Sequence, residues 1–286
     1  MTDALRVDPT RHITTLLTAQ NPWEGAAKTL ERYRGLPEPI GSIVVGYARN
    51  IRFVGLHYSY PARIYVDWMG GRIKDLLPEM SPEEAAQKFA AHVDQFIENR
   101  SKGVMKDAAY AHAISSYMHL WSIFETFLRG FTREAINLYP QLLSAPTDPD
   151  VVKPVEKSVA KLGTLGGSTD KDGVTVRLGD LLVPEKQSDI KNLYRLIRNF
   201  DKIGKSPQLQ TALADDWLIK LEKRRHIVVH KAGFVDDKYV SDTGEGTPGE
   251  PIIVSPFDIM RCFKATHSVA FELCAEFTDY HKSPPA

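Results

Sequence analysis

The sequence predicts a mainly α chain: a four-helix bundle with a small α/β extension at its N-terminus and an insertion between bundle helices. Three observations predict it. From about Val104 to Leu138, apolar side chains recur at spacings of three and four (Ile114, Tyr117, Met118, Trp121, Phe124, Leu128, Phe131, Ala135), which is the period of one helical face. Ser81-Pro82 and Ser255-Pro256 are each followed by an acid three positions after the serine, Glu84 and Asp258. That is the reciprocal capping pattern of a helix N-terminus. Residues 43–68, in contrast, are rich in β-branched and aromatic side chains and are punctuated by Gly46, Gly55 and Pro61, a composition that favours short strands.

In chain order, residues 11–33 read as helical with an interruption at Asn21-Pro22, and "GLPEPIG" breaks the chain before the expected strands. A helix opens at Ser81, and the long amphipathic helix that follows is the spine of the bundle. Residues 140–186 are mostly loop chemistry around a short helix, about Val152–Leu162, and form the insertion. Its "LGTLGGSTDKDG" run has glycines but lacks the Gly-Lys-Ser/Thr ending of a phosphate loop, so it reads as a mobile loop. One further helix covers about Ser188–Lys202, and another runs from Ser206-Pro207 to about Val229. "SDTGEGTPGE" is a loop, "PIIVS" a short strand, and the last helix starts at Ser255. The expected organisation is an accessory region over 1–80 and a helical domain over 81–286, with the insertion at about 140–186. No internal repeat interrupts this pattern.

Composition narrows the classes. With 286 residues, 43% of them apolar, the chain can build a substantial core. Lys+Arg and Asp+Glu both number 36, so any nucleic-acid surface has to be a local patch. Cys262 and Cys274 lie twelve apart in one helical segment, a rise of roughly 18 Å that no disulfide spans. The N-terminus has no apolar signal core, and no run approaches the length of a membrane helix. A cytoplasmic, soluble chain without a membrane partner is expected.

The segment "LEKRRHIVVHKAGFV", Leu221–Val235, concentrates cations that the chain as a whole does not carry in excess. On a helical wheel of residues 213–230, Leu213, Ala214, Trp217, Leu218, Leu221, Val228 and Val229 define an apolar face. Arg225 falls roughly 40° from its centre. An arginine there has to be paired or functional, because an unpaired buried charge is costly. Arg224 lies nearer the flank and reads as a solvated charge, of the kind the macrodipole favours near a helix C-terminus. His230 is roughly 140° from Arg225 on a continuous helix. Either the helix loosens near His230, with Gly233 as terminator, or a second subunit completes the site. Arginine with histidine suits RNA cleavage without metal. Imidazole titrates near neutrality and serves as general base or acid for the 2′-hydroxyl and the leaving 5′-oxygen. A guanidinium fork suits the charge of the phosphorane-like transition state.

Arg225-His226-Ile227-Val228-Val229-His230 fits the R-(N/D/H)-x-x-x-H motif, and over about Val104–Lys282 the chain resembles HEPN domains of prokaryotic defence systems. "LEKRRHIVVHKAGFVDDKYV" is similar to the end of their third helix and its turn, "LWSIFETFLRG" to their first helix, and "PIIVSPFDIMRCF" to their fourth. The resemblance implies an HEPN-like four-helix bundle, a homodimer with two motifs facing one cleft, and metal-independent endoribonuclease activity with no cofactor. The products carry 2′,3′-cyclic phosphate and 5′-hydroxyl ends. Arg225 would hold the scissile phosphate, His230 would act as base or acid, and His226 would orient the phosphate or Arg225. RNA is the implied substrate, in a toxin or abortive-infection effector with an antitoxin or sensor protein as a possible partner. Some members have lost catalysis, so the alternative is an inactive module that recognises a nucleotide, RNA or a partner protein. The insertion at 140–186 departs from the simple bundle, and residues 1–80 lie outside the resemblance.

Glu125, between Trp121 and Leu128, is a supporting candidate that would hold the fork of Arg225; the competing reading pairs it with Arg129 at i+4. Arg224 is the other supporting candidate. His226 and His230 have the i,i+4 spacing of zinc ligands, but no third ligand is evident. His112 and His119 read as packing or surface residues. Arg49, Arg52 and Arg63 interleave with Tyr47, Phe53, Tyr58 and Tyr60, a mixture that suits RNA stacking and suits ordinary surface arginines on a small sheet better.

Overall fold

The computed structural model describes residues 22–76, 81–100, 103–164, 176–184 and 190–282. Residues 11–21 of the first expected helix and 165–173 of the glycine-rich loop lie outside them. The chain is mainly helical: α1 (Pro22–Glu31), α2 (Ile40–Leu76), α3 (Pro82–Arg100), α4 (Gly103–Leu138), α5 (Pro149–Thr164), α6 (Leu178–Leu182), α7 (Ile190–Arg198), α8 (Pro207–Leu213), α9 (Asp216–His230), α10 (Asp237–Thr243) and α11 (Pro256–Lys282). Both expected capping boxes form. Ser81 N donates to Glu84 at 2.9 Å, and Ser255 N to Asp258 at 2.7 Å. Each acid's backbone N–H is bonded in return to the serine hydroxyl.

The strands expected over 43–68 are absent: that stretch lies inside α2, so the extension is helical rather than α/β. Ile40, Val44, Tyr47, Ile51, Val54 and Tyr58, spaced by three and four, are all buried. Strand propensity is a weak preference that burial of a helical stripe overrides. "PIIVS" likewise forms only an isolated bridge, Pro251 opposite Phe234. The helix expected from Ser206 to Val229 is broken at Ala214-Asp215, where Asp215 caps a new helix by accepting from Trp217 N at 2.9 Å. The insertion carries α5 and α6, with the first slightly longer than expected.

One core joins these elements. α2 and α4 pack side by side, α1 lies on α2, and α11 packs on α4 and α1. Ring contacts fix the seams: Trp23 tilted on Phe263 (centroids 3.9 Å), Tyr47 stacked on Phe127 (4.4 Å) and Phe131 edge-on against Phe277 (5.3 Å). The core cluster draws on residues before 60 and after 110 alike.

The α1–α2 seam depends on Gly55. A Cβ built there would lie 2.3 Å from Trp23 Cγ, whereas one built at Gly46, earlier in the same helix, meets nothing within 4 Å. Trp23 is fully buried. Gly55→Ala is therefore expected to destabilise by about 1–3 kcal/mol through overpacking. Gly46→Ala is expected to stabilise by up to about 1 kcal/mol, because glycine is a poor helix former. Urea unfolding of both variants checks the pair, and equal midpoints would contradict this account of Gly55.

Burial holds the pKa of His267 below its ordinary 6.5. Its ring sits between Phe263 and Phe271, and its Nδ1 is enclosed without a hydrogen-bond partner among the described residues. His57 is also lowered, first by burial and then by His112 and His119. The unfolded chain thus binds protons that the folded chain refuses. Stability is intact above 6.5 and falls as pH drops below it. The carboxylates with lowered pKa lose their contribution only below about 4.5. A fall in Tm between pH 7 and pH 5 is expected, and it should be shallower in His267→Phe. A flat profile over that window would show that the histidines do not control it.

Candidate functional site

Helix α9 carries the cationic segment, and it runs unbroken to His230. It ends in a tight reversal. Lys231 N and Gly233 N both donate to Ile227 O, at 3.0 and 3.1 Å, while Ala232 (φ 52°) and Gly233 (φ 85°) are left-handed. Gly233 thus takes part in the stop, as its position after the helix suggested. The next segment folds back: Ile252 N donates to Gly233 O at 2.8 Å and Val235 N to Glu250 O at 2.9 Å. Asp236 caps α10 through Tyr239 N at 2.8 Å. Beneath this end of the molecule, Ile227, Val235, Tyr239 and Ile252 form a small apolar cluster.

The structure reverses the expected roles of the two adjacent arginines. Arg224, expected to be solvated, is the buried one, with 5% of its surface exposed. Its Nε donates to Tyr239 Oη at 3.2 Å and its Nη2 to Glu245 at 2.8 Å. Its Nη1 lies 3.0 Å from Asp258 as a charge contact. The Tyr239 hydroxyl donates to Glu245 as well, at 3.2 Å, and the guanidinium lies over the Trp217 ring. Burial opposes the charge, but these neighbours more than offset it and hold the guanidinium protonated. Arg225, expected in the apolar stripe, is only half-buried. The buried line of α9 is every third residue, Leu218, Leu221, Arg224 and Ile227. The wheel had counted Leu213 and Ala214, which precede the break, and Val229, which is 52% exposed.

The other lysines here are also neutralised: Lys220 by Glu245 at 2.7 Å, Lys223 by Asp242 at 2.5 Å and Lys231 by Asp236 at 3.6 Å. Arg225, His226 and His230 have no carboxylate ion pair among the described residues. His226 and His230 are exposed, with ring centroids 4.9 Å apart on one face. Partial burial and then the neighbouring His230 hold the pKa of His226 below its ordinary 6.5, so it is neutral at pH 7. A recess of about 90 Å³ beside His226 is lined by Glu222, Lys223, Lys238 and Asp242 among others, room for a few waters only. Because the helix does not loosen before His230, Arg225 and His230 leave it roughly 140° apart. The loosened helix, one of the two expected ways of bringing them together, does not form.

Glu125 accepts from Trp121 Nε1 at 2.9 Å and from Arg129 at 2.5 Å, the i+4 pairing, and makes no hydrogen bond or ion pair with Arg225. Among the described residues no group of three or more His, Cys, Asp or Glu is arranged to hold a metal ion, and no helix is long and apolar enough to cross a membrane. The arginine-aromatic mixture on α2 is only partly at the surface, where Arg49 and Phe53 are exposed. Tyr47 and Tyr58 are buried, and Arg52 pairs with Glu24 at 2.6 Å and Glu31 at 3.2 Å; the side chains of Tyr60 and Arg63 lie outside the described residues. Cys262, buried against Tyr117, is pushed by burial up to about 12 and is no nucleophile at neutral pH. Tyr239, Glu245 and Asp258 are the residues that sequence reasoning missed. They come from three separate segments, and only the capping pattern of Asp258 left a trace in the sequence. No family model matches this chain, and no curated protein or solved structure matches it.

Proposed function

We propose that this chain is a metal-independent endoribonuclease of the HEPN type that cleaves RNA by attack of the ribose 2′-hydroxyl. One observation carries the reading. Of the seven basic side chains from Lys220 to Lys231, Lys220, Lys223, Arg224 and Lys231 are paired with carboxylates. The three without such a pair among the described residues are the motif residues Arg225, His226 and His230. A guanidinium and two imidazoles left without a carboxylate at a helix end suit a phosphate better than they suit a purely structural role. In this reading Arg225 stabilises the charge on the scissile phosphate, His230 moves the proton of the 2′-hydroxyl or of the leaving oxygen, and neutral His226 helps orient the phosphate. The divergence of Arg225 and His230 makes the active species a homodimer with two motifs at one cleft. Val229, Phe234 and Ile253 expose apolar surface at the same end of the chain, which suits such a contact. The physiological role would be that of a toxin or abortive-infection effector, restrained by an antitoxin or sensor protein.

A second reading, an inactive HEPN module that binds a nucleotide, RNA or a partner protein, is favoured by the same divergence and by the smallness of the recess at His226. Incubating purified protein with total RNA and tRNA in EDTA separates the two. Fragments with 2′,3′-cyclic phosphate and 5′-hydroxyl ends support the enzyme. Retained binding with no cleavage of any RNA supports the module, and cleavage that EDTA abolishes overturns the proposed mechanism.

A further inference from the structure

The outward face of α2 carries an apolar stripe, while α1 and α4 pack on other faces of the same helix. Val45, Phe53 and Leu56 are 38%, 70% and 42% exposed, and Arg49, also exposed, lies between them. Spacings of four, four and three put these side chains on one helical face. A helix that packs on a core keeps its outward face polar in the ordinary case. Single apolar residues on a surface need no explanation, but a contiguous stripe marks a contact. Arg49 makes no hydrogen bond or ion pair among the described residues. Arg52, at the edge of the stripe, is already held by Glu24 and Glu31.

The stripe is complementary to itself. A twofold axis that passes α2 beside Asn50 and Ile51 lays a second α2 antiparallel on the first. Val45 then falls beside the partner's Leu56, and Arg49 beside the partner's Phe53. Each contact occurs twice, as an isologous interface requires. A guanidinium over a phenylalanine ring is favourable, and more so as water leaves the contact. A parallel pair would instead set Arg49 against its own copy, like charge on like charge.

We propose that this chain self-associates through α2, with two copies antiparallel and the Arg49 of each over the Phe53 of the other. The stripe contains none of the α9 motif residues, and the proposal is independent of the ribonuclease reading. A standard interface draws on roughly 20–30 residues a side. This stripe is shorter, so the association is weak and depends on concentration.

Cysteine trapping and sedimentation of the full chain test it. Arg49 lies about two residues from the axis, so Arg49→Cys brings two thiols within disulfide reach, whereas Ser42→Cys lies roughly 26 Å from its mate along the helix. Mild oxidation is expected to link Arg49→Cys into a covalent dimer and to leave Ser42→Cys unlinked. Cys262 and Cys274 are buried and do not compete. Adding Phe53→Lys to Arg49→Cys is expected to slow the link at least about tenfold, since Phe53 is the largest apolar group in the contact. Adding Val229→Lys, at the end of α9, should leave the link unchanged, which separates this contact from the dimer of the ribonuclease reading. Sedimentation of Val229→Lys alone should still depend on concentration. A Val229→Lys chain that stays monomeric at every concentration, equal linking of the two cysteine variants, or a link that Phe53→Lys does not slow would overturn the proposal.

Discussion

Arg224→Ala is expected to lower the stability of the fold by about 3 kcal/mol, while Arg225→Ala, one residue on, changes it by less than about 0.5 kcal/mol. Arg224 is buried against Glu245, Asp258 and Tyr239, which join α9 to α10, to the following loop and to the start of α11. Removing the guanidinium leaves Asp258 without its counter-charge and Glu245 with Lys220 alone. The Asp258 side chain is 12% exposed and that of Glu245 28%, so water relieves part of the cost and the lower end of the range for broken buried pairs applies. A control separates charge from shape. Arg224→Met combined with Glu245→Gln and Asp258→Asn removes all three charges and should recover much of the loss, since the penalty lies in the unpaired charges. Urea midpoints at unchanged m-value are the measurement. Equal losses for Arg224→Ala and Arg225→Ala would show that the network does not hold the fold.

Cleavage of RNA is expected to fall by at least a hundredfold in Arg225→Ala and in His230→Ala, each with a Tm near that of the parent. General acid-base groups contribute about 10²–10⁴-fold, and a donor to a developing anion about 10²–10³-fold. The double variant should lose little more than the worse single one, because groups that act as a unit are not additive. His226→Ala should have the smaller effect, since it orients rather than transfers. Mixing Arg225→Ala with His230→Ala protein is informative. If each cleft draws on both chains, mixed dimers regain one complete site and part of the activity. The ribonuclease reading fails if either single variant cleaves as well as the parent.

The helical periods of α4 and α11 and both capping boxes were legible because they are local: apolar spacing and a serine with its acid lie within a few turns. α2 was misread as strands because its β-branched and aromatic residues outweighed a spacing of three and four that was equally present. Only the neighbours α1 and α4 make that spacing decisive. The break at Ala214-Asp215 was hidden because Asp215 acts as a cap only if the chain turns there.

By itself, the sequence determined a mainly helical chain, where its longest helices begin, and a concentration of cations at the end of one of them. Tertiary structure alone decided which cation is buried. Arg224 and Arg225 have the same side chain and nearly the same local context, and a helical wheel separates them by one step. What separates them physically is the arrival of Glu245, Asp258 and Tyr239, from segments 15 to 34 positions away. A buried guanidinium is tolerable only where such partners converge, and no local pattern encodes that convergence.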